Sequence, residues 1–318
     1  MKKVISLLVL LSVIFSGCGH HNGKQNLIIF HAGSLSVPVR KLNEAFEKAN
    51  PGVIVLSEAA GSLVCARKVT ELEKPCDIIL SADYFVIDRM LIPDYASWNI
   101  KFATNKIVIA YRPESRYSDE ISAENWSDIL LRDDVIYGRS DPDSDPCGYR
   151  TEFVAQLAGR YYGRAGLTDS LLKKDRDYIR PKEVDLVALV QTGVIDYMFQ
   201  YKSVAIQHGF KFIELPDSIN LSSLTLKDYY NSVSYMIPAS EPGKRAEVRG
   251  DYICYSGTII DRAPQKALAI KYFMFLLSEE GQRIFIESGQ EPLIPAITDQ
   301  PDAVPDPLKP FITGPSNQ

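Results

Sequence analysis

The most constraining feature of this sequence is a strand-to-turn-to-helix pattern that occurs twice near its amino end. The apolar run Leu27–Phe30 leads into Gly33-Ser34, and Val53–Val55 leads into Gly61-Ser62. Each Gly-Ser pair falls where a helix is predicted to begin, and a helix start exposes unpaired backbone N–H groups and carries the positive end of the helix dipole. Because glycine lets a ligand approach the backbone and serine adds an uncharged donor, the two starts together predict a site for one anion.

The composition is that of a globular protein with its own core. The chain has 318 residues, of which 46% are hydrophobic and 24% charged, so it is long enough for one or two domains without metal or disulfide support. Its net charge is −5, or −7 without Lys2 and Lys3. Such a charge predicts no broad basic surface for nucleic acid or anionic lipid, and an anion must therefore be bound by local geometry.

The first 17 residues have the features of an export signal. Lys2 and Lys3 precede the apolar run Val4–Phe15, which is too short for an ordinary membrane span, and Ser16-Gly17-Cys18 follows. This arrangement resembles a bacterial lipoprotein signal, which implies cleavage before Cys18 and lipid on its sulfur. A plain secretory signal or an uncleaved anchor remains an alternative. Residues 18–26 are polar and contain glycine, as expected of a tether.

The remaining cysteines do not define a framework. An exported protein can oxidise some of them, and Cys65 and Cys76 are nearest in sequence, but spacing alone establishes no bond. The sequence has no CxxC motif, so a zinc site has little support.

The mature chain alternates strand-like and helical periodicity. A helix containing Leu42 and Phe46, a strand at Val53–Val55, a helix from Cys65 to Leu72 and a strand at Asp77–Leu80 follow the first strand. This β-α-β-α-β order predicts a parallel sheet with flanking helices, and ligands of such sheets lie beyond the carboxyl ends of the strands. Both Gly-Ser turns are expected there.

A second block of strands and helices predicts a second lobe. Asn105–Tyr111 is a plausible crossing strand, and the sequence after Pro216 returns to strands and then to one long helix, Pro264–Ser288. We therefore expect residues 27–108 and 216–318 to build lobe 1 and residues 109–215 to build lobe 2. The remaining elements predicted for the second block are a helix at Trp126–Leu131, a strand at Val135–Tyr137, a helix at Thr151–Tyr162, a helix at Glu183–Gln191 and a strand at Tyr197–Phe199.

Five motifs, in order along the chain, resemble those of archaeal-type molybdate/tungstate-binding proteins of ABC transporters. They are His31-Ala32-Gly33-Ser34-Leu35, Glu58-Ala59-Ala60-Gly61-Ser62, Ser81-Ala82-Asp83-Tyr84, Asp145-Pro146-Cys147-Gly148-Tyr149-Arg150 and Tyr201-Lys202-Ser203-Val204-Ala205. The similarity extends from about Leu27 to Leu293. It implies an α/β fold of the two-lobed type II periplasmic-binding-protein class, with mixed sheets, flanking helices and a hinge. It also implies an extracytoplasmic, lipid-anchored monomer that delivers its ligand to a membrane permease.

The resemblance also implies which residues bind the ligand. Asp145 and Glu183 would donate carboxylate oxygens to the metal centre of the bound oxyanion and raise it from four to six oxygen neighbours. Hard oxygen donors suit a high-valent metal. Sulfate cannot expand its shell in this way, so the same carboxylates would repel it. Ser34 and Ser62 from lobe 1, and Tyr201 from lobe 2, would donate hydrogen bonds.

Each of these residues also has a purely structural interpretation. Ser34 and Ser62 can cap helices, and Asp145 can belong to a solvated turn. Glu183 can complement a helix dipole, and Tyr201 can be one of many packed tyrosines.

An enzyme is not indicated, because the sequence has no GxSxG, HExxH or Walker-type motif and His31 and His208 have no evident nucleophile partner. No cofactor is expected beyond the ligand, tungstate or molybdate, which the sequence does not rank. The alternatives are a ferric-iron, sulfate or phosphate binder of the same architecture, or an adhesion or scaffolding lipoprotein.

Overall fold

The computed structural model describes residues 24–174, 176–239 and 243–314. Its strands are β1 (Gln25–Ala32), β2 (Val53–Ala60), β3 (Ile78–Ser81), β4 (Ile100–Thr104), β5 (Ile107–Tyr111), β6 (Tyr137–Ser140), β7 (Ile179–Arg180), β8 (Tyr197–Tyr201), β9 (Lys211–Glu214), β10 (Ser234–Pro238), β11 (Arg245–Arg249), β12 (Cys254–Ile259), β13 (Glu291–Thr298) and β14 (Ile312–Thr313). Its α-helices are α1 (Ser36–Ala49), α2 (Ser62–Thr70), α3 (Tyr84–Met90), α4 (Trp126–Leu130), α5 (Pro146–Tyr161), α6 (Leu167–Lys173), α7 (Asp185–Gln191), α8 (Lys202–Gln207), α9 (Asp217–Asn220), α10 (Lys227–Tyr230), α11 (Lys266–Leu277) and α12 (Glu279–Glu287). Short 3-10 helices cover Gly33–Leu35, Arg176–Tyr178, Leu224–Leu226 and Asp306–Phe311.

The first sheet contains both predicted Gly-Ser strands. Its order is β14-β13-β4-β12-β3-β1-β2, and β1 runs parallel to β2 and to β3, as predicted. Leu27 and Ile29 of β1 are fully buried. On the other side of β3, β12 pairs antiparallel with β3 and β4, and β13 pairs antiparallel with β4, whereas the edge strand β14 is parallel to β13. The sheet is therefore mixed.

The second sheet has the order β7-β6-β8-β5-β9 and is also mixed. β6 is parallel to β8, whereas β5 is antiparallel to β8 and β9. Phe199 of β8 packs edge-on against Trp126 and Tyr137, with ring centroids 6.0 and 5.8 Å apart. The predicted two-lobed α/β class with mixed sheets is confirmed.

The chain passes between the sheets earlier than the predicted boundary at residue 108. β4 ends in the first sheet at Thr104, and β5 begins in the second at Ile107. The crossing therefore lies at residues 105–106. The prediction was late because Ile107–Tyr111 forms one apolar run that reads equally well as the end of lobe 1.

The predicted return to lobe 1 at residue 216 also needs correction. The segment from α9 to β11 packs on α5 of the second lobe rather than joining the first sheet. Gln156 of α5 donates to the Ser234 carbonyl at 3.0 Å, and Arg160 donates to the Ser232 hydroxyl at 2.6 Å. The chain rejoins the first sheet only at Cys254, where β12 begins.

Several element limits differ from the predictions. The long helix predicted at 264–288 is two helices, because the Ser278 side chain accepts a hydrogen bond from Gly281 N and starts α12. The first strand of lobe 1 begins at Gln25, inside the tether predicted at 18–26. Residues 1–23, with the predicted signal and Cys18, lie outside the described residues. Within the described ranges, no helix has the length and apolarity needed to cross a membrane.

Candidate functional site

The two Gly-Ser turns lie side by side at the carboxyl ends of β1 and β2. The parallel register places Ala32 opposite Ala60, so Gly33 and Gly61 follow at the same edge of the sheet. Gly61 is the N-cap of α2, whereas Gly33 is the first residue of a 3-10 turn that leads directly into α1. The predicted juxtaposition of the two turns is confirmed.

Neither serine caps a helix through its side chain. The Ser62 hydroxyl accepts a hydrogen bond from Ala82 N at 3.0 Å and so ties the second turn to the end of β3. The Ser34 hydroxyl is buried, yet it has no hydrogen-bond partner among the described residues. An unpaired buried hydroxyl is unfavourable in itself. It therefore points to a ligand.

Asp145 is buried and organises the second lobe's side of the site. One carboxylate oxygen accepts from Cys147 N at 3.1 Å and caps α5, and the other accepts from Glu183 N at 2.7 Å. The interpretation as a solvated turn is therefore wrong for Asp145 itself, which is 2% exposed. Asp143 of the same turn instead pairs with the exposed Arg245 at 2.5 Å.

Glu183 carries the largest unsatisfied polar group of the site. It is 1% exposed, and both carboxyl oxygens lack a hydrogen-bond partner among the described residues. A Cβ added to Gly33 would lie 3.1 Å from one of these oxygens, so the carboxyl group faces the first turn across the gap between the lobes. Burial, reinforced by the negative charge of the neighbouring Asp145, raises the pKa of Glu183 well above its ordinary value.

Tyr201, at the end of β8, joins the site through Arg150. Its hydroxyl accepts a hydrogen bond from Arg150 Nη1 at 2.8 Å, and the same nitrogen donates to the Ala82 carbonyl at 2.6 Å. Burial raises the pKa of Tyr201 well above its usual value, although Arg150 opposes the shift. Its phenol is therefore held neutral, with a proton to donate.

The structure thus places all five predicted residues at or next to the contact between the lobes, together with residues that sequence reasoning missed. Arg150 and Tyr149 both contact the Asp83 carboxylate, at 3.2 and 2.6 Å. Gln200 donates to the Glu183 carbonyl at 3.0 Å. The signal for Arg150 was its place in the motif Asp145-Pro146-Cys147-Gly148-Tyr149-Arg150, to which the sequence analysis assigned only Asp145.

The described residues contain no group of three or more His, Cys, Asp and Glu side chains placed to hold a metal ion. His31, beside the first turn, is buried, and desolvation lowers its pKa to about 4 even though its Nδ1 lies 2.8 Å from the Ala32 carbonyl. The four cysteines left open by the sequence, Cys65, Cys76, Cys147 and Cys254, are buried free thiols. The arrangement can bind an oxygen-rich ligand with hydroxyl donors from one side and carboxyl oxygens from the other.

The fold and this cleft define a class of protein that binds a solute between two lobes. The family model described as bacterial extracellular solute-binding protein matches residues 27–291. The chain belongs to that family, and it is accordingly a binding protein rather than an enzyme and uses no catalytic cofactor. The resemblance predicted from the motifs is confirmed at this level.

Two relatives show where in the family the chain lies. An uncharacterized solute-binding protein of Petrotoga mobilis is 45% identical over 92% of this chain and 91% of its own length. The molybdate/tungstate-binding protein WtpA of Thermococcus kodakarensis is 41% identical over 93% of this chain and 94% of its own length.

Solved structures agree on the fold. The periplasmic molybdate-binding protein of Azotobacter vinelandii matches with a TM-score of 0.61 at 16% identity, over 83% of this chain and 98% of that one. The sulfate-binding protein SubI of Mycobacterium tuberculosis H37Rv matches with a TM-score of 0.61 at 14% identity, over 85% and 87%. Since neighbours of one fold include both molybdate and sulfate binders, the cargo must be argued from the site.

Proposed function

We propose that this protein is the extracytoplasmic solute-binding lipoprotein of an ABC transporter, and that it captures tungstate or molybdate between its lobes for delivery to a membrane permease. The relative named as a molybdate/tungstate-binding protein supports the cargo. The observation that carries the proposal is the unsatisfied set formed by the Ser34 hydroxyl and both Glu183 carboxyl oxygens, buried at the contact between the lobes.

The unpaired Ser34 hydroxyl and Glu183 carboxyl group suit an oxyanion with a metal centre better than they suit sulfate or phosphate. Glu183 and Asp145 offer hard carboxylate oxygens, which a high-valent metal centre accepts as additional ligands. Asp145 already accepts two backbone hydrogen bonds, but an ionised carboxylate has about four lone-pair sites and keeps capacity for a metal. Ser34, Ser62 and Tyr201 then donate to the oxyanion's own oxygens.

Ferric iron is the less favoured cargo. Iron would use tyrosine as a phenolate, whereas burial raises the pKa of Tyr201 and its hydroxyl accepts a hydrogen bond from Arg150. Sulfate or phosphate would use the Gly-Ser turns alone. For those anions the buried pair Asp145 and Glu183 is a liability, and neutralising it should improve binding.

Titration calorimetry of the chain from Lys24 onward with tungstate, molybdate, sulfate and phosphate tests the cargo. We expect heat of binding with tungstate and molybdate and none with sulfate at the same concentrations. Comparable affinity for sulfate would refute the coordination chemistry.

Asp145→Ala and Glu183→Ala variants test the carboxylates. Both should fold yet show a smaller rise in melting temperature with tungstate than the parent, because a ligand that binds only the native state stabilises it by mass action. Asp143→Ala is the matched control, since Asp143 lies in the same turn but pairs with the exposed Arg245. If all three variants respond to tungstate like the parent, the two buried carboxyl groups do not bind it.

The membrane attachment is proposed from Cys18 and from the family, and the protein is proposed to act as a monomer. Mass spectrometry of the mature amino terminus tests the attachment. A lipid-modified Cys18 supports it, and an unmodified amino terminus elsewhere would refute it.

A further inference from the structure

One buried guanidinium connects the two lobes. Arg150 belongs to α5 of the second lobe, but its Nη1 donates to the Ala82 carbonyl at 2.6 Å and its Nη2 lies 3.2 Å from an oxygen of Asp83, both in the first lobe. The Tyr149 hydroxyl donates to the same Asp83 oxygen at 2.6 Å. The Arg150 and Asp83 side chains are 3% and 8% exposed, so the pair is shielded from water.

The same guanidinium also holds the second lobe's proposed hydroxyl donor. Arg150 Nη1 donates to Tyr201 Oη at 2.8 Å and so occupies an acceptor lone pair of the phenol. The structure gives the Tyr201 hydroxyl no acceptor among the described residues for its own proton. That proton is available for a ligand oxygen only while Arg150 keeps the phenol in this orientation.

We propose that Arg150 is the positioning residue that couples lobe closure to ligand binding: it latches the second lobe to Ala82 and Asp83 of the first and, through the same contacts, aims the Tyr201 hydroxyl at the ligand. The coupling to ligand rests on the proposed function. The latch itself rests only on the interlobe contacts.

The latch depends on closure because its partners lie in different lobes. If the lobes separate, Arg150 loses the Ala82 carbonyl and the Asp83 carboxylate together. The contacts thus stabilise the closed form relative to the open form, and a ligand that needs Tyr201 gains from the same shift in population.

A second buried ion pair supplies the matched control. Arg139 pairs with Glu152 at 2.8 Å and donates to the Leu172 carbonyl at 2.9 Å, and all three residues lie in the second lobe. Removing this arginine also breaks a buried charge pair, which is destabilising. It leaves the contact between the lobes intact.

The experiment compares Arg150→Met, Asp83→Asn and Arg139→Met with the parent. Asn at position 83 can still cap α3 by accepting from Phe85 N, as Asp83 does at 3.0 Å, so this variant breaks the charge pair without removing the cap. Small-angle X-ray scattering measures the radius of gyration without ligand, calorimetry measures tungstate affinity, and thermal denaturation measures stability.

For Arg150→Met and Asp83→Asn we expect a larger ligand-free radius of gyration and a loss of tungstate affinity of about tenfold or more, the size of one hydrogen bond to a charged group. Arg139→Met should lower the melting temperature but leave the radius of gyration and the tungstate affinity unchanged. An unchanged radius and affinity in Asp83→Asn would overturn the proposal even if Arg150→Met fails to fold. If the parent binds no tungstate but both latch variants open, the proposed cargo fails and the latch stands.

Discussion

At the scale of the residue, burial drives both Glu183 and His31 toward their neutral forms but moves their pKa values in opposite directions. It raises the pKa of the Glu183 carboxyl and lowers that of the His31 imidazole to about 4. Burial therefore disfavours the charged form of both groups.

His31 gives a pH dependence whose sign can be worked out. Its pKa falls from 6.5 in the unfolded chain to about 4 in the folded protein, so the unfolded state binds more protons between these values. Stability from His31 is complete above pH 6.5 and is lost as pH falls toward 4. We expect the free energy of unfolding in urea to fall between pH 7 and pH 4.5 by about 2 to 3 kcal/mol less in His31→Gln than in the parent.

Comparing the variant with the parent cancels the contribution of the buried carboxyl groups to the pH dependence. Their raised pKa values stabilise the folded protein as pH falls, which is opposite to the effect of His31. His208→Gln is the control, because His208 is less buried and its pKa is lowered by the same cause. The same pH slope in His31→Gln and the parent would contradict the assignment.

The two serines should separate stability from binding. Ser34→Ala removes a buried hydroxyl that has no hydrogen-bond partner in the part of the chain that the structure describes, so it should leave the free energy of unfolding unchanged or slightly higher while weakening tungstate affinity. Ser62→Ala instead leaves the buried Ala82 N–H unpaired and should cost about 1–3 kcal/mol of stability. Denaturant unfolding measures the stability of the two variants, and calorimetry measures their tungstate affinity. Equal losses of stability in Ser34→Ala and Ser62→Ala would show that Ser34 is a structural residue.

At the scale of the element, the glycines of the two turns have a role that the sequence did not reveal. They were expected to let a ligand approach the backbone. In the structure, a Cβ on Gly61 would overlap the Ser144 carbonyl of the second lobe, and one on Gly33 would crowd the Glu183 carboxyl. The absence of these side chains lets the lobes meet.

Gly61→Ala should therefore act on closure rather than on folding. Gly61 has φ of −59°, which alanine adopts without strain, so each lobe should keep its structure. We expect a melting temperature close to that of the parent without ligand and a tungstate affinity reduced by about tenfold or more, as steric overlap opposes the closed form. Gly314→Ala, where the added methyl meets only ordinary contact, is the control. Parent-like affinity in Gly61→Ala would mean that the lobes bind ligand without this contact.

Helices and strands were predictable where the pattern that indicates them lies within a short stretch of sequence. The parallel pairing of β1 with β2 followed from the repeated strand-turn-helix pattern. By contrast, α5 begins at Pro146, well before the predicted Thr151, because Asp145 is a cap and Pro146 a favoured first residue. The break at Ser278 was missed because an apolar periodicity continues on both sides of it. The antiparallel strands β4, β12 and β13 depend on contacts between distant parts of the chain, which periodicity does not report.

At the scale of the whole molecule, the site residues of lobe 1 come from the first 90 residues and those of lobe 2 from the middle of the chain, and two crossings join the lobes. Asn105 lies at the first crossing and ties both sides together, donating to the Ser203 hydroxyl at 2.7 Å and to the Tyr255 hydroxyl at 2.9 Å. The predicted site residues came from motif resemblance. Arg150 and Asp83 were missed because they lie far apart in the sequence and meet only where the two lobes contact each other.

The position of β1 has a practical consequence. The strand begins at Gln25 and runs eight residues, about 26 Å, to the Gly33 turn at the cleft. The amino end of β1 therefore lies at the end of lobe 1 remote from the cleft. We expect that immobilisation through this end, on a biosensor chip for example, leaves the path of the solute unobstructed.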